Sequence, residues 1–409
     1  MKNVLIMGAG GRDFHNFNIL FRDNPEFRVC CFTWGQLPIR QKRYLHAGRL
    51  YPEGIPIYPE SGLEKLIKQF GIQLVVFSYS DISYQELFKL ASRVAAAGCA
   101  FWLPGTETML PAEKPVIAVT ATRTGAGKSS LTRFLVRLCL ELQVKPTVIR
   151  HPMPYIRQDE VKVFRKEEDL SGHTFEEMEE ILPLLDLGIP VLTGTDTRKT
   201  LKKAEALGDL VIWDGGNNDF PFIRPNLWIT VIDSERPGLD YWPSRINLEK
   251  SQVLLINKAR KAGKLERAIK AENPRAETWF SDFKIEVEGK LKKGTALLID
   301  DFPSLTHGRS QGLAIKIARK YRIKPVDPRK WLPELYQKYS LPPVLPTYGY
   351  TQKQISAFYD AVKKIPADFI LTTSPIPIKP GKPVVRIRYE LKPQPGFKEM
   401  LEKRITKLL

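Results

Sequence analysis

Short apolar runs alternate with amphipathic stretches along the first hundred residues of the chain. The runs with the length and composition of buried β-strands are Val4–Met7, Phe27–Thr33, Leu74–Tyr79 and Ala100–Leu103. Between them, Leu63–Phe70 and Tyr84–Ala97 repeat apolar residues at helical spacing. Strands that alternate with helices favour a parallel sheet covered on both faces, so the pattern predicts a small doubly wound α/β unit.

A second series of apolar runs begins after a proline-containing segment, residues 111–115. Val116–Thr120 predicts a strand, and a helix is predicted from Lys128 to about Leu142. Further predicted strands are Val148–Ile149, Val191–Thr193, Leu210–Trp213, Leu227–Ile232 and Val253–Ile256. This order predicts a second, larger parallel sheet, and the later runs at residues 296–299, 368–372 and 384–388 either extend it or form a subdomain.

The length of the chain predicts more than one domain. With 409 residues, the chain exceeds the size at which one hydrophobic core is expected. The pattern divides it into an N-terminal doubly wound domain (residues 1–112), a second α/β domain with the larger parallel sheet (residues 113–290), and a C-terminal extension or small subdomain (residues 291–409).

Composition narrows the possible partners. The net charge of +18 fits either nucleic acid or a small polyanionic substrate. The basic residues are spread through Lys/Glu-rich helices and no nucleic-acid motif is present, so a nucleic-acid partner is disfavoured. No apolar run reaches the roughly 18 to 20 residues needed to span a bilayer, so we expect a cytoplasmic protein. The cysteines lie in apolar segments without C-x-x-C spacing and are expected to be free thiols.

A phosphate-binding loop follows the first strand of the larger sheet. Thr122–Ser130 contains Gly-Ala-Gly-Lys-Ser and opens a helix, which is the context of a P-loop. Its backbone N–H groups and the helix N-terminus attract phosphate, while Lys128 contacts the outer phosphates and Ser129 binds Mg²⁺. Thr122 stands where this motif normally has glycine. The predicted nucleotide-binding residues here are Thr124, Gly125, Ala126, Gly127, Lys128, Ser129 and Ser130.

An acidic residue at the end of a neighbouring strand is the second part of such a site. The apolar run at residues 210–213 ends in Asp214, followed by two glycines and a polar turn. Asp214 is the candidate catalytic carboxylate and, with Ser129, the candidate Mg²⁺ ligand. The polar residues Asn217, Asn218 and Asp219 on the same turn are candidate substrate-binding residues.

Another strand ends in a polar pair, Asn257 and Lys258, that is reminiscent of the base-reading motif of GTPases. That motif has an aspartate two residues later, where this chain has Arg260. Guanine selectivity by that route is therefore not predicted. The two residues remain candidate nucleotide contacts, and the choice between ATP and GTP stays open.

Several of these motifs together resemble the cyclic 2,3-diphosphoglycerate synthetase family, whose relatives are often labelled predicted GTPases. The stretches that carry the resemblance are Gly8–Asn18, Thr124–Ser130, His151–Tyr155, Trp213–Asp219, Arg236–Gly238, Ile256–Lys258, Thr306–Gly308 and Arg386–Glu390. The resemblance implies an α/β protein with an N-terminal Rossmann-like domain fused to a P-loop NTPase domain, forming a homodimer. It also implies ATP- and Mg²⁺-dependent closure of 2,3-diphosphoglycerate into a cyclic pyrophosphate. The segment Asp301–Gly312 departs from the family pattern, which bears on the identity of the substrate.

Three histidines and an arginine complete the candidate site. His151, after a strand of the larger sheet, is a candidate catalytic residue, and His307 a candidate phosphate ligand. Arg12 and His15 follow the glycine-rich turn after the first strand and are candidate substrate-binding residues. That turn lacks the third glycine and the distant acidic residue of a dinucleotide fingerprint, so NAD is not expected.

Two classes of function remain open. The first is a P-loop enzyme that uses a triphosphate to activate or cyclise a small phosphorylated substrate. The second is a GTPase-like switch or chaperone NTPase that changes the conformation of a protein partner.

Overall fold

The computed structural model describes residues 1–35, 41–153, 159–261, 263–291, 293–302, 305, 312–378 and 381–409. The chain forms two compact units. Unit 1 contains Met1–Arg165, Leu187–Asp282 and Leu391–Leu409, and unit 2 contains Lys166–Asp186 and Phe283–Glu390. The three-part domain division from the sequence stays a prediction.

Unit 1 begins with a six-stranded sheet. Its strands are β1 (Lys2–Met7), β2 (Phe27–Trp34), β3 (Arg43–Tyr44), β4 (Ile55–Pro59), β5 (Leu74–Phe77) and β7 (Ala100–Trp102), and the short strand β6 (Ile82–Ser83) lies outside this sheet. The spatial order is β3-β4-β2-β1-β5-β7, and every pairing is parallel except that of β3. The strand order reverses between β1 and β5, so this sheet has its topological switch point there.

Helices cover both faces of the first sheet because its strands are apolar on both sides. The helices are α1 (Arg12–Asn16), α2 (Leu63–Phe70) and α3 (Tyr84–Ala96). Val4 and Ile6 lie in one buried cluster, and Leu5 and Met7 in another. A capping box between Ser83 and Glu86 fixes the start of α3.

The second sheet of unit 1 has eight strands. They are β8 (Val116–Ala121), β9 (Pro146–Arg150), β10 (Lys162–Phe164), β11 (Val191–Thr193), β12 (Leu210–Asp214), β13 (Leu227–Asp233), β15 (Val253–Asn257) and β16 (Glu277–Glu288), whose last residues run into unit 2. The order is β10-β11-β9-β12-β8-β13-β15-β16, parallel except for β10. The short strand β14 (Tyr241–Trp242) pairs with β6 and so connects the two sheets. The helices are α4 (Lys128–Glu141), α6 (Thr197–Glu205), α7 (Ser244–Lys250), α8 (Lys264–Glu272) and α12 (Phe397–Leu408).

Unit 2 is a smaller parallel α/β unit. Its helices are α5 (Phe175–Leu185), α9 (Leu313–Lys320), α10 (Pro333–Tyr339) and α11 (Gln352–Lys364), and its strands are β17 (Thr295–Asp300), β18 (Lys324–Val326), β19 (Leu345–Pro346), β20 (Phe369–Thr372) and β21 (Val384–Pro393). The strands β18 and β20 flank β17, β19 pairs with its end, and β21 lies beside β20, all parallel.

The α/β fold class predicted from the sequence is confirmed. Several of the observed strands were not predicted from the sequence, and two of them have a clear physical reason. Pro56 and Pro59 interrupt the apolar pattern of β4, and β16 is half-exposed with polar residues throughout, so neither shows as an apolar run. No helix among the described residues combines the length and apolarity needed to cross a bilayer.

Candidate functional site

The P-loop lies between β8 and α4. Gly125 (φ +82°) and Gly127 (φ +111°) supply the left-handed backbone that the turn requires. Thr122 keeps an ordinary negative φ, and its N–H donates to the carbonyl of Val231 on the neighbouring strand at 3.2 Å. A β-branched residue therefore replaces the usual glycine without strain. Of the remaining predicted residues, Thr124 and Ser129 are exposed, whereas Ala126 and Ser130 are buried.

Lys128 is the first residue of α4 and points toward the turn that follows β12. Its Nζ donates to the carbonyl of Asn217, and the side chain of Asn217 accepts from the Thr124 hydroxyl at 3.2 Å. Burial lowers the pKa of Lys128 to about 8, against the opposing attraction of Asp214, while Arg150 lowers it further. The P-loop and the turn after β12 thus converge on one ammonium group.

A buried ion pair lies beside this lysine. Asp214 ends β12 and Arg150 ends β9, and the two residues are direct register neighbours. The Arg150 guanidinium donates to Asp214 Oδ2. Asp214 is only 1% exposed. Arg150 was not among the residues predicted from the sequence, since nothing in the pattern shows that β9 and β12 are adjacent.

The predicted magnesium ligands can be tested against this geometry. Asp214 Oδ1 is buried and has no hydrogen-bond partner among the described residues. Ser129, in the first turn of α4, is exposed. Carboxylate and hydroxyl oxygens are the ligand types that Mg²⁺ prefers, so these two residues fit that ion.

A second polar network surrounds His151. Its Nε2 lies 3.5 Å from Asp219 Oδ2, and its Nδ1 lies 2.9 Å from the carbonyl of Pro152. The ring is packed so closely that a Cβ added at Gly216 would lie 2.7 Å from it, which explains the glycine there. Asp219 also accepts from Arg12 Nε at 3.1 and 3.2 Å. Burial alone would raise the pKa of Asp219, but the charges of Arg12 and His151 hold it below its usual value.

Arg12 and His15 are both buried and bonded within the protein. Arg12 stacks on Phe220 at 3.8 Å, in addition to its ion pair. His15 contacts the carbonyl of Thr108 at 2.9 Å and the hydroxyl of Thr197 at 3.1 Å. Burial lowers the pKa of His15 to about 3, so its imidazole is neutral at physiological pH. These contacts favour a positioning role, and substrate contact by either residue stays a prediction.

Asn257 and Lys258 also make internal contacts. Asn257 is fully buried, donates to the carbonyl of Ala126 in the P-loop at 2.8 Å, and accepts from the Ser281 hydroxyl at 2.9 Å. Lys258 Nζ lies 2.6 Å from Asp233. Asn257 therefore braces the P-loop from β15, and its predicted contact with a base stays untested.

Asn218 also supports the P-loop through hydrogen bonds. The buried side chain of Asn218 donates to the carbonyls of Thr122 and Trp242 at 3.1 and 3.0 Å, so it connects the P-loop with β14. His307 lies outside the described residues.

Most of the predicted residues are brought together around Lys128 and Asp214. The arrangement of a glycine nest, two cations and one available carboxylate oxygen suits a triphosphate with Mg²⁺.

The chain is similar to several known proteins, although no family model matches it. The arginine synthetase ArcE of Thermococcus kodakarensis is 43% identical over 431 aligned residues, covering 98% of this chain and 96% of that protein. The structure of LpxK from Aquifex aeolicus in complex with ATP is 14% identical, with a TM-score of 0.47, covering 85% of this chain and 99% of its own. Hydrogenase maturation factor HypB from Archaeoglobus fulgidus is 15% identical, with a TM-score of 0.28, covering 41% and 81%.

Proposed function

This chain belongs to the family of the arginine synthetase ArcE, and from that premise we propose that it is an ATP- and Mg²⁺-dependent synthetase whose product is arginine. The family relation supports the product, because 43% identity extends over nearly the whole of both chains. The observation that carries the chemistry is the convergence of Lys128, Arg150 and Asp214 at the end of the P-loop. Such a cluster neutralises the charge that develops when a phosphoryl group is transferred.

The product limits the chemistry that the triphosphate must drive. Arginine differs from its ureido analogue, citrulline, by a nitrogen in place of one oxygen, and that oxygen is a poor leaving group. Transfer of the γ-phosphoryl group of ATP to the ureido oxygen forms an O–P bond, breaks the terminal P–O bond of ATP and releases ADP. Ammonia then attacks the same carbon, phosphate leaves with the C–O bond pair, and a proton is lost to give the guanidinium group.

Each residue of the cluster has a role in the phosphoryl transfer. Lys128 and Arg150 hold the negative charge of the transferring group, and the P-loop N–H groups orient the triphosphate. Asp214 and Ser129 would hold Mg²⁺, which supplies further neutralisation of the phosphates when bound. With Nδ1–H donated to the carbonyl of Pro152, His151 Nε2 accepts the proton that the attacking nitrogen must lose, and Asp219 stabilises the imidazolium that forms.

The test is ADP release by the purified full-length chain with Mg-ATP, L-citrulline and ammonium, with arginine identified by mass spectrometry. We expect turnover that needs all three components, and a loss of about 10² to 10³-fold in Lys128→Ala, comparable with the removal of one transition-state contact. The matched control is Lys65→Ala, on an exposed face of α2. Absence of arginine from complete wild-type reactions would reject the proposal.

The same assay separates the finer alternatives. The sequence motifs resemble those of a family that cyclises 2,3-diphosphoglycerate. If this chain has that activity, a cyclic product should form when 2,3-diphosphoglycerate replaces citrulline and ammonium. A GTPase-like switch predicts hydrolysis of GTP that none of these small molecules stimulates. The homodimer that the resemblance implies is tested on the same protein by sedimentation.

A further inference from the structure

The first sheet of unit 1 has a crevice at its switch point, between the carboxyl ends of β1 and β5. Open α/β sheets bind ligands in this position. The walls are the glycine-rich turn after β1, together with α1, and the segment Ser78–Asp81 after β5. Asn16 Nδ2, at the end of α1, donates to the Ser78 hydroxyl at 2.9 Å and so joins the two walls. The residues that we assign to the nucleotide follow strands β8 and β12 of the second sheet, so they are not part of this crevice.

The turn after β1 cannot hold a phosphate, because a side chain already fills its anion nest. Asp13 accepts hydrogen bonds from the backbone N–H groups of Gly10 at 2.8 Å, Gly11 at 3.1 Å and Phe14 at 2.8 Å. Gly8 allows this arrangement, since a Cβ there would lie 2.6 Å from Asp13 Oδ2. The donors that bind a dinucleotide pyrophosphate in related folds are therefore occupied by a carboxylate.

Two acceptor oxygens beside the crevice, one of Asn16 and one of Asp81, have no hydrogen-bond partner among the described residues. Asn16 is 1% exposed, and its Oδ1 has no hydrogen-bond partner among the described residues. A buried acceptor without a partner is costly, and a ligand N–H group would relieve that cost.

Asp81 supplies a negative charge on the P-loop side of the crevice. It adopts a positive φ of 62°, which aspartate tolerates better than most residues, and its N–H donates to the carbonyl of Trp242 at 3.0 Å. Its Oδ1 is buried without a hydrogen bond among the described residues, and Arg123 Nε is 3.9 Å away. Arg123 belongs to the P-loop, so Asp81 lies beside that loop, and its charge acts to raise the pKa of Lys128.

We propose that this crevice is the amino-acid site of the synthetase, where Asn16 accepts a hydrogen bond from the substrate and Asp81 pairs with the nitrogen group that becomes the guanidinium. The assignment rests on the proposed function for the identity of the amino acid. The chemical class of the ligand follows from the structure. Two hydrogen-bond acceptors beside an anion nest that Asp13 already fills favour a ligand with N–H donors over a phosphate. The position of Asp81 brings the bound group to the P-loop.

The two acceptors should differ in how strongly they distinguish arginine from citrulline, which gives a sharp test. Asp81 should bind arginine more tightly than citrulline, because the side chain of arginine ends in a cationic guanidinium group and that of citrulline in a neutral ureido group. We expect Asp81→Asn to weaken arginine binding about 10-fold or more and citrulline binding about 3-fold or less, because tenfold corresponds to about 1.4 kcal/mol. Asn16→Leu removes a neutral contact and should weaken both ligands alike.

The measurement is titration calorimetry of L-arginine and L-citrulline into full-length protein saturated with a non-hydrolysable ATP analogue and Mg²⁺. Asp23→Asn, an exposed carboxylate near the first sheet, is the matched control. The dissociation constant of the analogue is measured for each variant and should stay within twofold of the wild type, which shows that the P-loop is intact.

The outcomes separate this inference from the proposed function. Wild-type protein that binds or forms arginine, with both variants unchanged in amino-acid affinity, overturns the crevice as the site. Equal weakening of arginine and citrulline in Asp81→Asn overturns the pairing of Asp81 with the guanidinium. A wild-type chain that neither binds these amino acids nor turns over with them rejects the proposed function itself. Asp81→Asn is isosteric, so the test remains decisive if Asn16→Leu does not fold.

Discussion

Lys128 carries the ammonium group that we propose contacts the outer phosphates of the triphosphate. Burial lowers its pKa to about 8, so the ammonium is charged below that pH and neutral above it. The affinity for ATP should therefore be nearly complete at pH 7 and fall by about tenfold as the pH rises from 7 to 9, in proportion to the charged fraction of the ammonium. Lys128→Arg keeps its charge in this range, so its binding curve should be flat. A wild-type dissociation constant that does not change across this range would contradict the assignment.

Arg150 and Asp214 form a buried ion pair in which each side chain neutralises the charge of the other. Arg150→Met leaves the Asp214 carboxylate buried without its counter-charge, which should cost about 3 to 5 kcal/mol of unfolding free energy. Because Asp214 then lacks a competing cation, Mg²⁺ with ADP should recover more stability in this variant than in the wild type. The measurement is urea denaturation with and without Mg-ADP, and the exposed ion-pair variant Arg245→Met is the control. Equal recovery by Mg-ADP in all three proteins would mean that the metal does not use Asp214.

At the scale of elements, the P-loop is braced from β15 by one side chain. Asn257→Ala removes the buried hydrogen bond to the carbonyl of Ala126 and leaves that carbonyl unpaired, a loss of about 1 to 3 kcal/mol. We expect the dissociation constants of ATP and GTP to rise together by about tenfold, since a brace does not read the base. Fluorescence titration with both nucleotides measures this. A change in the ratio of ATP to GTP affinity would instead favour the base contact that the sequence pattern suggests.

The elements also show how far the sequence could predict the site. The P-loop was predictable because its strand, glycines and helix are contiguous between Val116 and Glu141. The pairing of Arg150 with Asp214 was not, because it depends on β9 and β12 being neighbours although β10 and β11 separate them in sequence. The bonds of Asn257 with Ala126 and of Asp13 with its own turn likewise depend on backbone geometry that periodicity does not contain.

At the scale of the whole molecule, the chain leaves unit 1 for residues 166–186 and 283–390 and then returns. Its last helix, α12, belongs to unit 1, where Phe397 packs against Trp279 at 5.6 Å and Phe134 at 6.1 Å between ring centroids. Lys398 forms an ion pair with Glu141 at the end of α4, the helix that begins at the P-loop. The stability of the nucleotide-binding unit therefore depends on residues at the far end of the chain.

Phe397→Ala tests this dependence, because the ring is fully buried and its removal should cost about 3 to 5 kcal/mol. The matched control is Phe88→Ala on α3, where the side chain is 74% exposed and the expected change is within about 0.5 kcal/mol. Calorimetry with and without Mg-ATP identifies the unfolding transition of unit 1 as the one that nucleotide shifts to higher temperature. Phe397→Ala should lower the temperature of that transition. A variant that lowers only a transition insensitive to nucleotide would show that α12 does not support the P-loop unit.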